Sequence, residues 1–223
     1  MFNTVNDSML IFDMDGTLFD TSEANYCAYR DAVARLGYVI EYDKFMRCFA
    51  GRNYKDFLPF LGICKSEELE KIHRFKKEIY RNYLIKIRKN DILLNLIEDL
   101  KSECIMALAT TASKKNTLDI LKQFGMEYVF DIMLTQEDVS ELKPNPECYL
   151  SVMKIAGLSA KQTIIFEDSE VGIEAAVASG ASYIRVCNFN GENGNIFFEE
   201  HIEGCQHRKE ILDHIERKLN GKE

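Results

Sequence analysis

Five short, mainly apolar runs constrain this chain more than any other feature of its sequence. They are Met9–Phe12 before Asp13, Ile105–Ala109 before Thr110, Ile132–Leu134 before Thr135, Thr163–Phe166 before Glu167, and Tyr183–Val186 before Cys187. A strand with one face in water alternates apolar and polar residues. An unbroken apolar run suits a strand covered on both faces, as in a parallel sheet. Segments 114–124, 146–156 and 170–179 fall between or after these runs and carry apolar residues at helical spacing. The alternation predicts an α/β fold, a doubly wound and mostly parallel Rossmann-like sheet.

The alternation breaks once. Between Phe19 and about Lys89 the pattern is helical only. Segment 22–37 opens at Ser22, a candidate cap, and ends at Gly37; segment 66–87 opens at Ser66 and runs charged and amphipathic. This predicts a helical insert entered soon after the first strand, near the sheet edge where such folds bind ligands. Towards the C-terminus, a short edge strand is expected near Ile202 and a helix over 208–219.

Composition excludes some functions. A net charge of −8 disfavours a nucleic-acid or acidic-membrane binder, which needs a basic face. The seven cysteines form no CxxC pair and have no metal-like spacing, so they read as reduced thiols of a cytoplasmic protein. The first twenty residues lack the basic start and apolar stretch of a signal peptide, and no apolar run could span a bilayer. The four histidines, at 73, 201, 207 and 214, have no metal-like partner spacing and read as surface residues. Phe57, Phe60 and Leu61 read as core of the helical insert.

Chemistry gathers where the runs end. In Asp13-Met14-Asp15-Gly16-Thr17, residues two apart on an extended chain point the same way, so Asp13 and Asp15 can face one site while Gly16 permits a sharp turn. Glu167-Asp168 ends another strand, and parallel strands finish on one edge. Carboxylates that converge repel unless one is protonated or a cation sits among them, and an all-oxygen set favours magnesium over zinc. Acidic residues at strand ends also serve as helix caps; two such clusters, each beside a glycine, argue for a site. Thr110-Thr111-Ala112-Ser113 offers hydroxyls and N–H groups at a helix start, suited to an anion or to capping. Lys143-Pro144-Asn145-Pro146 adds a cation before a proline-opened helix.

Taken in order, Asp-x-Asp-Gly-Thr, a strand ending in Thr, Lys-Pro, and Glu-Asp-Ser-x-x-Gly resemble the haloacid dehalogenase-like hydrolases. FEDSEVGIEAAVASGA is similar to the subgroup of β-phosphoglucomutase and sugar-phosphate phosphatases. The resemblance implies a core of residues 1–20 and 89–223 with a helical cap domain over 21–88. It implies that Asp13 attacks phosphorus, forming an aspartyl-phosphate, and that Asp15 protonates the leaving oxygen and later activates water. Magnesium would be held by Asp13, the Asp15 carbonyl, Asp168 and, as a further ligand, Glu167. Thr110 and the Thr111 N–H would bind phosphoryl oxygens, and Lys143 would neutralise charge. The acidic neighbourhood should raise the Asp15 pKa. Arg52 and Lys55, on a loop similar to the family's cap loop, are the substrate-contact candidates.

Dehalogenases of the family lack the second Asp, so Asp15 points to phosphoryl transfer. Mutase relatives carry a His twelve positions after the nucleophile, where this chain has Asn25. Phosphonate-cleaving relatives need a cap lysine; Lys44, Lys55, Lys76 and Lys77 read mainly as solvated charges. The Pro-Gly usual where the cap returns is missing near Asn90-Asp91. The function expected is a magnesium-dependent phosphatase, monomeric and cytoplasmic, acting on a small phosphorylated metabolite without nucleic-acid or membrane partners. A sugar-phosphate mutase is the alternative.

Overall fold

A computed structural model describes residues 8–187 and the backbone of strand Phe197–His201. In chain order the elements are β1 (Met9–Phe12), β2 (Phe19–Asp20), α1 (Ser22–Ala34), α2 (Tyr42–Cys48), α3 (Tyr54–Phe57), a 3-10 turn, α4 (Ser66–Ile79), a second 3-10 segment (Tyr80–Lys86) and β3 (Arg88–Lys89). They continue with α5 (Asp91–Leu100), β4 (Ile105–Ala109), α6 (Lys114–Gln123), β5 (Ile132–Leu134), α7 (Glu147–Ala156), β6 (Thr163–Glu167), α8 (Glu170–Ser179), β7 (Ser182–Cys187) and β8 (Phe197–His201). The chain divides into two compact units, one with the residues up to Phe19 and from Lys89 onward, the other Asp20–Arg88.

The first unit holds a six-stranded sheet of order β5-β4-β1-β6-β7-β8, parallel except for β8, which runs antiparallel to β7 at the edge. All five apolar runs are strands. Those of β1, β4 and β6 are buried at every residue, as strands covered on both faces must be. Towards the edge, β7 alternates buried and half-buried residues. Phe12 stacks on Phe166 across β1 and β6, with ring centroids 4.7 Å apart. Burial of each such side chain stabilises the fold by roughly 1.5–3 kcal/mol.

Register converts this packing into a site. Phe12 lies opposite both Leu108 and Phe166. The next residues of the three strands, Asp13, Ala109 and Glu167, therefore emerge together at the carboxyl edge. The ladder continues one step further, with the Asp13 N–H donating to the Phe166 carbonyl (2.9 Å) and the Thr110 N–H to that of Leu134 (3.0 Å).

The second unit is helical and closes around Phe57, whose ring meets those of Tyr29 and Phe45 edge-on and lies stacked 5.3 Å from Phe49. Its end residues are tied by an ion pair in which Arg88 Nε donates to Asp20 Oδ2 (3.0 Å). Helix α1 begins at Ser22, with Thr21 at the N-cap position, and Asp20 Oδ1 accepts the Ser22 N–H (3.0 Å). Phe60 is 67% exposed, a departure from the expected core position, because it follows Pro59 in a 3-10 turn that faces it outward. His73 is no surface residue either. Its ring stacks on Tyr54 at 3.9 Å and bonds the Tyr29 hydroxyl (3.2 Å), and burial followed by nearby lysines pushes its pKa down to about 4. Lys76 is buried too, its ammonium 4.0 Å from the Tyr80 ring centroid. These last two departures share a cause, since polar atoms with aromatic partners can sit inside a small helical unit without losing all their interactions.

Helix α5 and the two-residue strands were not legible as elements. The edge strand expected near Ile202 is observed as Phe197–His201, and the helix expected over 208–219 lies outside the described residues. Among the described residues no helix is long and apolar enough to cross a membrane, and the six described cysteines form no disulfide with one another.

Where Pro-Gly was missing, Asn90 does the joining. It is fully buried, its N–H donates to the Leu18 carbonyl (2.8 Å), its Nδ2 to the Thr17 carbonyl (3.0 Å), and its Oδ1 caps α5 by accepting the Leu93 N–H (3.3 Å). Asn90→Ala loses the cap and strands a buried carbonyl, so denaturant unfolding should show a loss of about 1–3 kcal/mol. A loss well below that range would show that the Asn90 side chain is not what secures this junction.

Candidate active site

Asp13 closes β1 and is nearly buried. The chain turns at once, with the Leu18 and Phe19 N–H groups donating back to the Met14 carbonyl (3.1 and 3.0 Å) and Gly16 to Phe19 (2.7 Å). Gly16 is required twice over. Its φ is +92°, and a Cβ there would lie 2.2 Å from Asp168 Oδ2. The same turn brings the Thr17 hydroxyl to Asp168 Oδ1, to which it donates at 2.9 Å.

Glu167 closes β6 and is the most enclosed acid of the group, 1% exposed. Its Oε2 accepts the N–H groups of Asp168 (2.8 Å) and Ser169 (2.9 Å) and the Ser169 hydroxyl (3.1 Å). Its Oε1 accepts from Lys143 Nζ (2.7 Å) and from the Tyr149 hydroxyl (3.1 Å). Both oxygens are thus taken by the chain's own donors. Ser169 also caps α8 through the Gly172 N–H (3.1 Å). At Gly172 a Cβ would fall 1.8 Å from Glu167 Oε1, so the helix can lie over the carboxylate only because that residue has no side chain.

Lys143 joins the two acids. Its Nζ donates to Asp13 Oδ1 (2.6 Å), Glu167 Oε1 (2.7 Å) and the Ala109 carbonyl (3.1 Å). An ammonium has three N–H donors, and each has an acceptor. The loop carrying it is pinned by Glu147, whose carboxylate accepts the N–H groups of Ser140 (2.9 Å) and Glu141 (2.8 Å).

One ammonium does not balance three carboxylates. Burial raises the Asp13 pKa well above the carboxylate range; Lys143 opposes this, and Glu167 and Asp168 reinforce it. Burial, with Glu167 adding, pushes Asp168 up to about 7 despite the Thr17 hydrogen bond. Burial works against the Lys143 charge, but Asp13 and Glu167 outweigh it, and its pKa stands above the usual lysine value. Ionising all three carboxylates together needs more positive charge than Lys143 supplies, and an external cation would provide it. Oxygens of Asp13, Glu167 and Asp168 lie within 4.8 Å of one another, a hard-oxygen set suited to a divalent ion. Among the described residues, Asp13 and Asp168 each keep one oxygen that accepts no hydrogen bond.

The 10–186 stretch matches the family model described as "Haloacid dehalogenase-like hydrolase". The chain belongs to that family. The phosphorylated carbohydrates phosphatase of Thermotoga maritima is 30% identical over 217 residues, covering 94% of this chain and 99% of the relative. The fructose-1-phosphate phosphatase YqaB of Escherichia coli is 24% identical, covering 79% of this chain and 95% of the relative. Among solved structures, a HAD hydrolase of family IA, variant 3, from Entamoeba histolytica is 25% identical with a TM-score of 0.72, covering 94% and 99% of the two chains.

Within this hydrolase the carboxyl edge brings Asp13, Lys143, Glu167 and Asp168 together, with Asp15 two residues beyond Asp13. Thr110 follows Ala109 at the same edge; its hydroxyl accepts the Ala112 N–H (3.0 Å). The N–H of exposed Thr111 donates to no described residue. Arg52 and Lys55 lie in the helical unit. Arg52 is exposed, whereas Lys55 is engaged by Glu70 (3.4 Å). Thr17 and Tyr149 were not among the sequence-derived candidates. Thr17 stands inside the first motif and could have been suspected from it. Tyr149 has the signature of any core aromatic on a helix.

Gly172 yields a direct expectation. Gly172→Ala forces the Glu167 carboxylate, or the first turn of α8, out of place, because the overlap involves the carboxylate carbon as well as its oxygens. Stability should fall by about 1–3 kcal/mol in denaturant unfolding, and a crystal structure should show Glu167 displaced from Lys143. Unaltered stability and geometry in the Gly172→Ala variant would contradict this packing.

Proposed function

We propose that this hydrolase is a magnesium-dependent phosphatase of a small phosphorylated carbohydrate, with Asp13 as nucleophile. The observation that carries the reading is the pairing of Asp13 with buried Lys143 beside Asp168, at the carboxyl edge of a parallel sheet. The phosphatase relatives named above support the substrate class. An anionic nucleophile must approach an anionic phosphoryl group, so its surroundings must be cationic.

On this reading an Asp13 oxygen attacks phosphorus and the bond to the leaving oxygen breaks, Asp15 giving that oxygen its proton. A water then loses a proton to Asp15 and attacks the phosphorus, releasing phosphate and freeing Asp13. Lys143 holds one Asp13 oxygen and screens the incoming charge. Thr110 and the Thr111 N–H orient the phosphoryl oxygens. Asp13, Asp168 and the Asp15 carbonyl would hold magnesium, which when bound supplies charge stabilisation to the phosphoryl group. Glu167, with both oxygens engaged, serves as counter-charge to Lys143. The helical unit acts as a cap, and exposed Arg52 is its best candidate for a contact with substrate. Asn25 stands where mutase relatives carry a His and offers no titrating imidazole, which favours hydrolysis over mutase chemistry; its Nδ2 donates to the Thr21 hydroxyl (3.1 Å).

Asp13→Asn keeps the shape of the site and removes the nucleophile. Turnover of a generic aryl phosphate should fall by several orders of magnitude while the fold persists. Hydrolysis by the variant at a rate near wild type would rule out the covalent route.

Metal binding should register in stability. A carboxyl whose folded pKa is raised favours the folded state when protonated, so the Asp168 contribution is present below its unfolded value near 4 and is lost as pH rises to about 7. Magnesium requires the deprotonated form. Millimolar magnesium should therefore raise the melting temperature more at about pH 8 than at about pH 5.5. An equal shift at both values, or none at the higher, would contradict the ligand set.

A further inference from the structure

We infer that Tyr149 is a positioning residue for Lys143, acting through Glu167. Its side chain is fully buried, in the core cluster that includes Met9, Ile11, Ala107 and Ile165. A phenylalanine would fill that space without taking a hydroxyl out of water. Such a hydroxyl is costly unless bonded, and this one donates to Glu167 Oε1 at 3.1 Å.

That oxygen is the one Lys143 also uses, at 2.7 Å. A carboxylate oxygen has two main acceptor positions. With Tyr149 on one, the pull of Oε1 on the ammonium is shared, and Lys143 keeps its 2.6 Å bond to Asp13. The Tyr149 ring lies 4.9 Å from the ammonium, a cation–π contact that bounds its position on another side. Without the hydroxyl, Oε1 has one donor left in a place closed to water. The ammonium should then move towards Glu167 and lengthen its contact with Asp13. The described hydrogen bond of Tyr149 goes to Glu167 and that of Asp13 comes from Lys143, so the hydroxyl is linked to Asp13 through Glu167 and Lys143.

The kinetic part of this inference rests on the phosphatase reading; the structural part does not. The test compares wild type with Tyr149→Phe, Glu167→Gln, the double variant, and Leu150→Ala as an exposed control on the same helix. For Tyr149→Phe, kcat on an aryl phosphate should fall about 10–100-fold, the range typical when a supporting partner of a site group is removed, with KM little changed. The double variant should fall no further than Glu167→Gln alone, since both changes act on one link. Crystal structures should show Lys143 Nζ beyond hydrogen-bond distance of Asp13 in Tyr149→Phe and in place in Leu150→Ala. Wild-type kcat in Tyr149→Phe, additive losses in the double variant, or an unmoved Nζ would each overturn the inference. Should wild type release no phosphate from any phosphomonoester, the phosphatase reading fails, and the crystallographic comparison still decides on Tyr149.

Discussion

A lysine ammonium with almost no exposure is expensive to bury, and much of the first unit is arranged to keep that of Lys143 in place. Its three donors need three acceptors from different parts of the chain: Asp13 after β1, the Ala109 carbonyl at the end of β4, and Glu167 at the end of β6. Removing one acceptor leaves a buried charge short of a partner, which is the costly way to break such a cluster. The ion pairs are therefore better understood as a device for holding Asp13 than as a source of stability. The same dependence reaches Gly172, which makes room for Glu167, and Glu147, which pins the loop that presents the lysine.

The sheet makes this convergence possible. Strands β1, β4 and β6 are adjacent, parallel and in register, so the first polar residue after each apolar run reaches the same edge. A one-residue slip of β6 would exchange the faces of Phe166 and Glu167. Burial on both sides of these strands resists that slip, since it would put a carboxylate into an aromatic layer. The hydrophobic core thus sets the geometry of the acids although it contributes none of their chemistry.

Charge imbalance follows from the same crowding. Asp13 and Asp168 are desolvated by the core that positions them, and Lys143 compensates only part of their repulsion. Their raised proton affinities express a need for positive charge, which a proton or a divalent ion can meet. The helical unit faces a different problem. Too small for a deep aliphatic core, it relies on aromatic rings, and it admits His73 and Lys76 because those rings give polar atoms somewhere to bind.

The amino-acid sequence determined the five parallel strands of the main sheet, its parallel class and the edge on which the acids emerge. Each depends on local patterns: mainly apolar runs, helical spacing, and a glycine beside each acidic pair. It also carried the order of motifs that resembles the family to which the chain belongs. Tertiary structure alone decided which atoms meet. Lys143 and Asp13 stand 130 positions apart, and nothing local to either tells that one ammonium spans both acids. Glu167 reads like Asp168 in sequence, yet its oxygens are consumed by α8, Lys143 and Tyr149, while Asp168 keeps one oxygen unengaged. The settings of Tyr149 and His73 are illegible in the sequence for one reason. An aromatic or imidazole at helical spacing has the same pattern whether its polar atom meets solvent or a buried partner, and only packing between distant segments settles which.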